Sequence, residues 1–511
     1  MVEALLLLLA VQTGPAPLPE LLTRARDRLE ASDRAGARRE LTEALRLYPA
    51  SPAVHNFLGV LEAGDGHPAE AEKRFREAVR LAPDFTDAYL NLGRLYQESR
   101  DPKAATKALA AYQAVLRYDP AHAEARFQSA ALLQVVGQFG RSLEELGRLA
   151  PADQDRPAAL AVRIADHAGK GERAEADAAL EKLLGQGGFD ELDVRPTLPV
   201  LLARGREDLA ARLLEDLRRR GRASPDDLQR LGLLREKAGE LAEARVRLEE
   251  AARGRPDSVP LLLDLARVAH EAGDRKGALG YLAHARAVEP GNARVHFLFG
   301  MICVELDLGV EAYNSLKEAV RLDPENAPAN YAMGAVALAR KDPSEAIPYF
   351  RKYAELEPHE ARGPFGVAVA TFEAKDYDNA RKLLAAAAAR PETAAGANYY
   401  LARIARAEGE LEEGLRFTQR SVEVNPSYAD PWSEMGLLYL RLGQPGKAAE
   451  ALDRCLKLDP EHYLGNMHLM MLYAQTRDPR EAAQRQRFEE IKTRRNEKAV
   501  DFLRPIEVRP Y

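Results

Sequence analysis

Residues 259–292 read VPLLLDLARVAHEAGDRKGALGYLAHARAVEPGN. In the first half, Leu262, Leu265, Ala266 and Ala269 recur at i, i+3, i+4 and i+7, which is one face of a helix. Gly273 follows, a residue suited to the left-handed conformation in which a helix ends. In the second half Ala278, Leu282 and Ala285 again share a face. Pro290 stops that helix, because it lacks an N–H and clashes with the preceding turn. The stretch therefore reads as helix, tight turn, helix, stop. Small residues such as Ala278 let two helices approach closely, and larger ones such as Leu282 fill the groove between neighbours.

The same grammar recurs outward from this stretch. Pro256, Pro290, Pro324, Pro358, Pro426 and Pro460 lie on one lattice of period 34, and Pro49 and Pro83 lie on it displaced by three. Ala244, Ala278, Ala312, Ala346, Ala380, Ala448 and Ala482 form a second lattice. Self-similarity at this period means stacked supersecondary units, each burying its face against its neighbours. The starts fall at 18, 52, 86, 123, 157, 191, 225, 259, 293, 327, 361, 395, 429 and 463, which gives fourteen units. The unit at Thr86 is 37 residues long, with its extra three expected around Lys103 to Lys107.

The pattern resembles the tetratricopeptide repeat. The copy from Ala429 supplies Trp432, Gly436, Tyr439, Ala448, Leu452, Cys455 and Pro460. The copy from Pro52 supplies Leu58, Gly59, Ala71, Phe75, Ala78 and Pro83, and the copy from Thr86 supplies Tyr89, Leu92, Gly93 and Tyr96. The resemblance spans residues 18 to about 496. It implies an all-α, right-handed superhelical solenoid of about fourteen repeats, some 28 helices, with essentially no β-sheet.

Five segments are expected: 1–17, a signal peptide or an N-terminal cap; 18–122, an N-terminal arm; 123–224, degenerate repeats; 225–496, a C-terminal arm with a polar cap; and 497–511, an extended docked tail. The degenerate units lack the terminal proline, and Pro196 and Pro199 make the first helix of the unit at 191 late and short. This is either simple repeat decay or a change of curvature. The apolar run Ala4–Val11 has signal-peptide length but no basic residue before it, so export to the periplasm is favoured over a cytoplasmic location. The excess of Arg over Lys fits GC-rich bacterial coding. Cys303 and Cys455 stand at packing positions and read as buried small hydrophobes.

The net charge of −6 is small for 511 residues, and runs such as EKRFRE (72–77) mix both signs, so no basic nucleic-acid stripe is present. The N-terminal run is too short to span a bilayer, and no other segment is apolar enough to cross one, so no transmembrane segment is expected. Neither Cys-x-x-Cys nor His-Glu-x-x-His occurs, and there is no phosphate-binding glycine loop. Catalytic residues, metal sites and cofactors are therefore not expected, and the chain is not read as an enzyme.

In the tetratricopeptide family, positions 2, 5, 9, 12 and 13 of each first helix line the concave groove. Carried over, that implies a partner-binding set of Arg294, Phe297, Met301, Tyr331, Arg362, Phe365, Phe372, Tyr399, Arg403 and Arg406. Pro364 begins its helix, which puts Arg362 just before it. Aromatics with Arg make interface hot spots, and Arg suits carboxylates. The alternative is that some of these rings pack between helices. The family's Lys/Asn carboxylate clamp is absent, since its places hold Asn56, Val60, Asn91, Glu124 and Gln128. Polar Gln486 and Glu489 mark a capping unit, and Phe502, Leu503, Ile506 and Tyr511 lie in a tail that Pro505 and Pro510 keep from being helical. The resulting expectation is a protein-interaction scaffold for a protein or peptide, acidic or carboxylate-bearing. One alternative is an accessory subunit that positions a catalytic partner, and another is an enzyme with its site in the groove.

Overall fold

The computed structural model describes residues 17–497 apart from 100, 102, 187, 188 and 190. Among them are thirty α-helices, one 3₁₀ turn and no strand. The chain divides into two compact units, Met1–Leu234 and Arg235–Tyr511.

The first unit opens with three helix pairs: α1 Leu18–Glu30 with α2 Arg34–Leu47, α3 Pro52–Gly64 with α4 Pro68–Leu81, and α5 Thr86–Gln97 with α6 Ala104–Tyr118. Then α7 Ala123–Val135 pairs with α8 Phe139–Gly147, the single turn α9 Pro151–Gln154 follows, and α10 Pro157–Lys170 pairs with α11 Arg173–Gln186. The unit continues with α12 Glu191–Val194, the 3₁₀ turn Arg195–Thr197, α13 Leu198–Ala203 and α14 Glu207–Arg219. The division falls within α15 Pro225–Lys237.

In the second unit, α16 Leu241–Gly254 leads to α17 Val259–Glu271 with α18 Arg275–Val288, α19 Ala293–Glu305 with α20 Gly309–Leu322, and α21 Ala327–Ala339 with α22 Pro343–Leu356. Next come α23 Arg362–Glu373 with α24 Tyr377–Ala388, and α25 Pro391–Glu408 with α26 Leu411–Val424. The described chain closes with α27 Ala429–Arg441, α28 Pro445–Leu458, α29 Tyr463–Thr476 and α30 Glu481–Glu497. The fold is thus an all-α solenoid of helix pairs. Cys303 and Cys455 are buried and free, as their positions predict.

Three local devices repeat at the 34-residue period. The first is the turn inside each pair. Position 15 has a left-handed backbone in all thirteen repeats where it is described: a glycine in eight, and Ser32, Asp307, Lys341, Lys375 and Arg477 in the others. In the long repeat α5 ends at Gln97 and α6 starts at Ala104, so the extra residues fall a little ahead of the expected place. The second is capping. Asn292 and Asn326 accept the N–H of Val295 and Ala329 at the starts of first helices, and Asp274, Asp342 and Asp376 cap second helices in the same way.

The third device joins one repeat to the next. In six repeats the side chain at position 4 donates to the carbonyl of the lattice proline six residues earlier. His55 Nε2 lies 3.0 Å from the Pro49 oxygen, His296 Nε2 2.8 Å from that of Pro290, and Asn330 Nδ2 2.9 Å from that of Pro324. Trp432 Nε1 reaches the Pro426 oxygen at 3.1 Å and Asn466 Nδ2 that of Pro460 at 3.2 Å, while Arg126 bonds the Pro120 oxygen. A carbonyl past the end of a helix has no partner in that helix. Histidine, asparagine, tryptophan and arginine all satisfy it, so position 4 selects a donor and tolerates different shapes.

The close contact within each pair also follows the predicted register. A Cβ on Gly436 would sit 2.6 Å from Leu452 Cγ, and one on Gly93 would sit 2.6 Å from the Tyr112 ring. Gln486 and Glu489 on α30 are exposed.

The departures have visible causes. The first helix at 191 starts on register as α12, breaks at Pro196 and resumes as six-residue α13, so it is interrupted instead of merely late. The second helix of the unit at 123 ends at Gly147, and Pro151 starts the separate turn α9. The helix expected at 395 begins at Pro391, where proline occupies the first turn and Thr393 Oγ1 donates to the Ala387 carbonyl at 2.7 Å. Arg362 is the first residue of α23, not the residue before it. The N-terminal segment 1–16 and the tail beyond Glu497 lie outside the described residues.

Replacing Gly436 by Leu forces a side chain into Leu452 and is expected to cost about 1–3 kcal/mol. Urea denaturation of parent and variant measures it; an unchanged midpoint contradicts the packing described.

Candidate binding surface

The ten residues expected to meet a partner lie on α19, α21, α23 and α25, the first helices of four consecutive repeats of the second unit. Five of them are buried. Met301, Tyr331, Phe365, Phe372 and Tyr399 are each no more than 7% exposed. The expectation that these side chains stand open to water is therefore corrected. The physical reason is that these helices are apolar almost all round, and such a helix is buried. In α21 every residue from Ala329 to Leu338 is buried, and in α23 every residue from Phe365 to Phe372.

The rings fill the space between helices. Tyr331 meets Phe350 edge-on at 5.5 Å and Tyr353 at 4.9 Å. Phe365 and Phe372 both pack on Tyr400, at 6.2 and 5.2 Å, and Tyr399 lies between Tyr400 and Tyr428, at 5.2 and 5.6 Å. Phe297 is half-buried against the core that contains Met301.

The arginines remain accessible in part. Arg294 and Arg362 are exposed, and Arg362 lies over the Tyr331 ring at 5.5 Å with Glu360 at 3.2 Å. Arg406 is ion-paired with the buried Glu434. Arg403 is different. Its guanidinium lies 4.5 Å from the Phe372 ring centre, 5.3 Å from that of Tyr400 and 5.6 Å from that of Tyr399. Among the described residues its ion pair is Glu373, at 3.6 Å. Stacking uses the faces of the guanidinium and leaves its N–H edge for a planar acceptor.

Beside this cluster the Tyr428 hydroxyl is buried without a hydrogen-bond partner. Burial, against the pull of Arg403, raises Tyr399 and Tyr400 well above the usual phenol range, and Tyr428 rises through burial and the neighbouring Asp430 carboxylate. All three hydroxyls are therefore neutral donors. Tyr400 and Tyr428 were not foreseen, because they occupy positions 6 and 34, outside the groove-lining pattern.

In the first unit the corresponding faces are polar and paired across repeats. Asn91 Nδ2 donates to Asn56 Oδ1 at 3.0 Å, Arg94 holds the Glu124 carboxylate at 2.7–3.0 Å, and Gln97 Nε2 donates to Gln128 Oε1 at 2.9 Å.

Outside the Arg403 cluster, strongly shifted groups lie on four other helices. Burial raises Cys303 on α19 to about 11 and Cys455 on α28 to about 12, and lowers His468 on α29 to about 4. Each shift favours the neutral form, the opposite of a thiolate–imidazolium pair. Asp166 on α10 is fully buried and raised to about 7 by burial. The nearby Ser142 hydroxyl donates to the Ala130 carbonyl at 2.9 Å and the Gln134 amide to the Val162 carbonyl at 3.0 Å, leaving both Asp166 oxygens without a hydrogen bond. Among the described residues no three metal-ligating side chains come together, and no helix is long and apolar enough to cross a membrane.

Tetratricopeptide-repeat family models match residues 22–66 and 310–361, 62–111 and 236–302, and 429–462. The chain is a tetratricopeptide-repeat protein, and its architecture is that of a protein-interaction scaffold. Among solved structures it is similar to a tetratricopeptide repeat protein from Parabacteroides merdae at 17% identity and a TM-score of 0.42, over 48% of this chain and 98% of that one. It is also similar to yeast Tom70 at 16% identity and a TM-score of 0.38, over 87% and 96%. A third is YrrB, a protein of this family with an unusual peptide-binding site, at 20% identity and a TM-score of 0.26, over 43% and 95%.

Asp166 gives a pH prediction with a definite sign. Its folded pKa lies above the unfolded value, so the folded state binds the extra proton between about pH 4 and 7. Stability is then expected to fall as pH rises through that window, by up to about 1.4 kcal/mol per pH unit from this group. The groups acting on it are Ser142 from α8, Gln134 from α7 and Arg163 from α10. Denaturation series from pH 4 to 8 on the parent and on Asp166→Asn check this: the variant should show the flatter profile.

Proposed function

We propose that the chain is a non-catalytic scaffold that holds an acidic or carboxylate-bearing segment of a partner protein, with the Arg403 cluster of the second unit as the anchor. The observation that carries this reading is a guanidinium stacked on three rings, with only a 3.6 Å ion pair to Glu373, beside an unpartnered buried tyrosine hydroxyl. A carboxylate arriving here replaces Glu373 at the N–H edge, and the neutral tyrosine hydroxyls supply further donors. Charge-assisted, forked hydrogen bonds of this kind are the strong ones.

The neighbouring acids limit how much negative charge the site accepts. Glu434 is neutralised by Arg406, and Asp430 is hydrogen-bonded by His462 at 3.2 Å, which leaves Glu373 as the competitor. One carboxylate is therefore favoured over a dense acidic run. Phe297, Arg294 and Arg362 extend the same surface toward the earlier repeats.

Arg403→Ala and Phe297→Ala are each expected to weaken partner binding by roughly 1–2 kcal/mol or more. Arg403→Lys should recover little, because an ammonium neither stacks nor forks. Calorimetry with the captured partner and with a carboxylate-free version of its segment decides it. Unchanged affinity for Arg403→Ala places the site elsewhere, with the Asn56–Asn91 ladder next in line.

A further inference from the structure

Asp166 and Ser142 are paired exceptions to the repeat. Position 10 of a first helix is Leu132, Val268, Ile302 and Leu438 in other repeats, and in the unit at 157 it is Asp166. Position 20, on the alanine lattice, is Ala71, Ala176, Ala210 and Ala244 elsewhere, and in the unit at 123 it is Ser142. The fold brings the two exceptions together. Helix α8 of one repeat packs on α10 of the next, and the Ser142 hydroxyl and the Gln134 amide both lie against the Asp166 carboxyl. Asp166 is fully buried, and neither of its oxygens has a hydrogen bond. A carboxylate in that position would be an uncompensated buried charge, so the arrangement is that of the neutral acid.

We infer that Asp166 is a proton-binding site, and that release of its proton re-aims the hydrogen bonds that join α7 and α8 to α10. With the proton bound, Gln134 Nε2 donates to the Val162 carbonyl at 3.0 Å and Ser142 Oγ to the Ala130 carbonyl at 2.9 Å. The Ser142 oxygen keeps a lone pair for the Asp166 O–H. When the proton leaves to water, the carboxylate only accepts. Ser142 and Gln134 then turn their donors to it. The Ala130 and Val162 carbonyls are not orphaned, because each lies inside a helix and keeps the N–H four residues on. The Gln134 bond ties the repeat at 123 to the repeat at 157, so the proton decides which atoms of α10 hold α7.

The surroundings leave this exchange to the proton. The charge acting on Asp166 is Arg163 of its own helix, whose Nη2 donates to Gln154 of α9 at 3.3 Å. On α7 and α8, Arg126 and Glu145 pair with each other at 2.5 Å. Helices α11, α12 and α13 meet α10 through Leu180, Val194, Leu198 and Leu201, and the Thr197 hydroxyl of the 3₁₀ turn donates to the Val194 carbonyl. Burial raises the carboxyl to about 7, which poises the exchange near neutral pH.

Two measurements on the full-length chain test this. Infrared difference spectra between the parent and Asp166→Asn are expected to show a neutral carboxyl C=O band that disappears with a midpoint near pH 7. In Ser142→Ala, which restores the residue of the period, the midpoint should move up, because the charge-assisted bond lost from the ionised form is the stronger one. A band absent at every pH, or a midpoint indifferent to Ser142, overturns the inference. In the second, the side-chain amide signals of ¹⁵N-glutamine-labelled protein are followed across the same pH range, with Gln134 assigned from Gln134→Ala. The Gln134 signal should shift with the infrared midpoint in the parent and stay fixed in Asp166→Asn, while the other glutamine signals stay in place in both and report an intact fold. A Gln134 signal that does not move in the parent, or moves equally in the variant, means that the acid titrates without re-aiming its neighbours, and overturns the inference.

Discussion

The carbonyl of the lattice proline is where consecutive hairpins are joined by a directional bond at six junctions. It lies past the last turn of a second helix, out of reach of that helix's own N–H groups. The side chain at position 4 of the next repeat supplies a donor for it at six junctions. Proline suits the acceptor's place because it ends one helix and brings no N–H that needs a partner of its own. The turn at position 15, the caps and the glycine contact shape one hairpin. This bond ties six of the hairpins to the one before.

Much of the fold was legible because those devices are local. Twelve of the fourteen first helices begin where the 34-residue period puts them, and the other two are displaced by Ala361 and Pro391. The buried aromatic residues were not legible in the same way. Phe365, Phe372 and Tyr399 hold positions that line a groove when consecutive first helices stand apart. In this chain those helices are so rich in small and apolar residues that the rings lie in the packing between them. A helical period reports which residues share a face, and the sequence of one repeat does not report how closely the neighbouring helix covers it. Arg403 was legible as a residue type and a position. Its stacking on Tyr400 and its neighbour Tyr428 come from helix-to-helix geometry.

The two units solve the same problem with different chemistry. In the first, Asn56, Asn91, Arg94, Glu124, Gln97 and Gln128 satisfy one another across first helices. In the second, α21 and α23 are nearly all apolar and Arg362 and Arg403 lie over rings, while His270 with Glu305, Arg406 with Glu434 and Ser433 with His468 still pair across first helices. Directional bonds between repeats set a spacing, whereas apolar contact tolerates adjustment. The unfilled polar demand of the molecule is accordingly concentrated in a few places, the Arg403 edge and Asp166 chief among them.

The proline bond also bears on how the chain is made. It spans six residues, so it can close as soon as the first turn of the next helix has left the ribosome. Each hairpin then locks onto its predecessor without waiting for distant sequence, the situation in which folding keeps pace with synthesis. The repeats beginning at 157, 191, 225 and 259 carry Leu160, Val194, Leu228 and Leu262 at position 4, none of which can donate. Across that stretch, residues 157–292, repeats are joined by other contacts, among them Arg206 with Asp177 and Arg245 with Asp274. A translating ribosome would therefore release hairpins that carry the proline bond up to Arg126, pass through a stretch without it, and meet it again from His296.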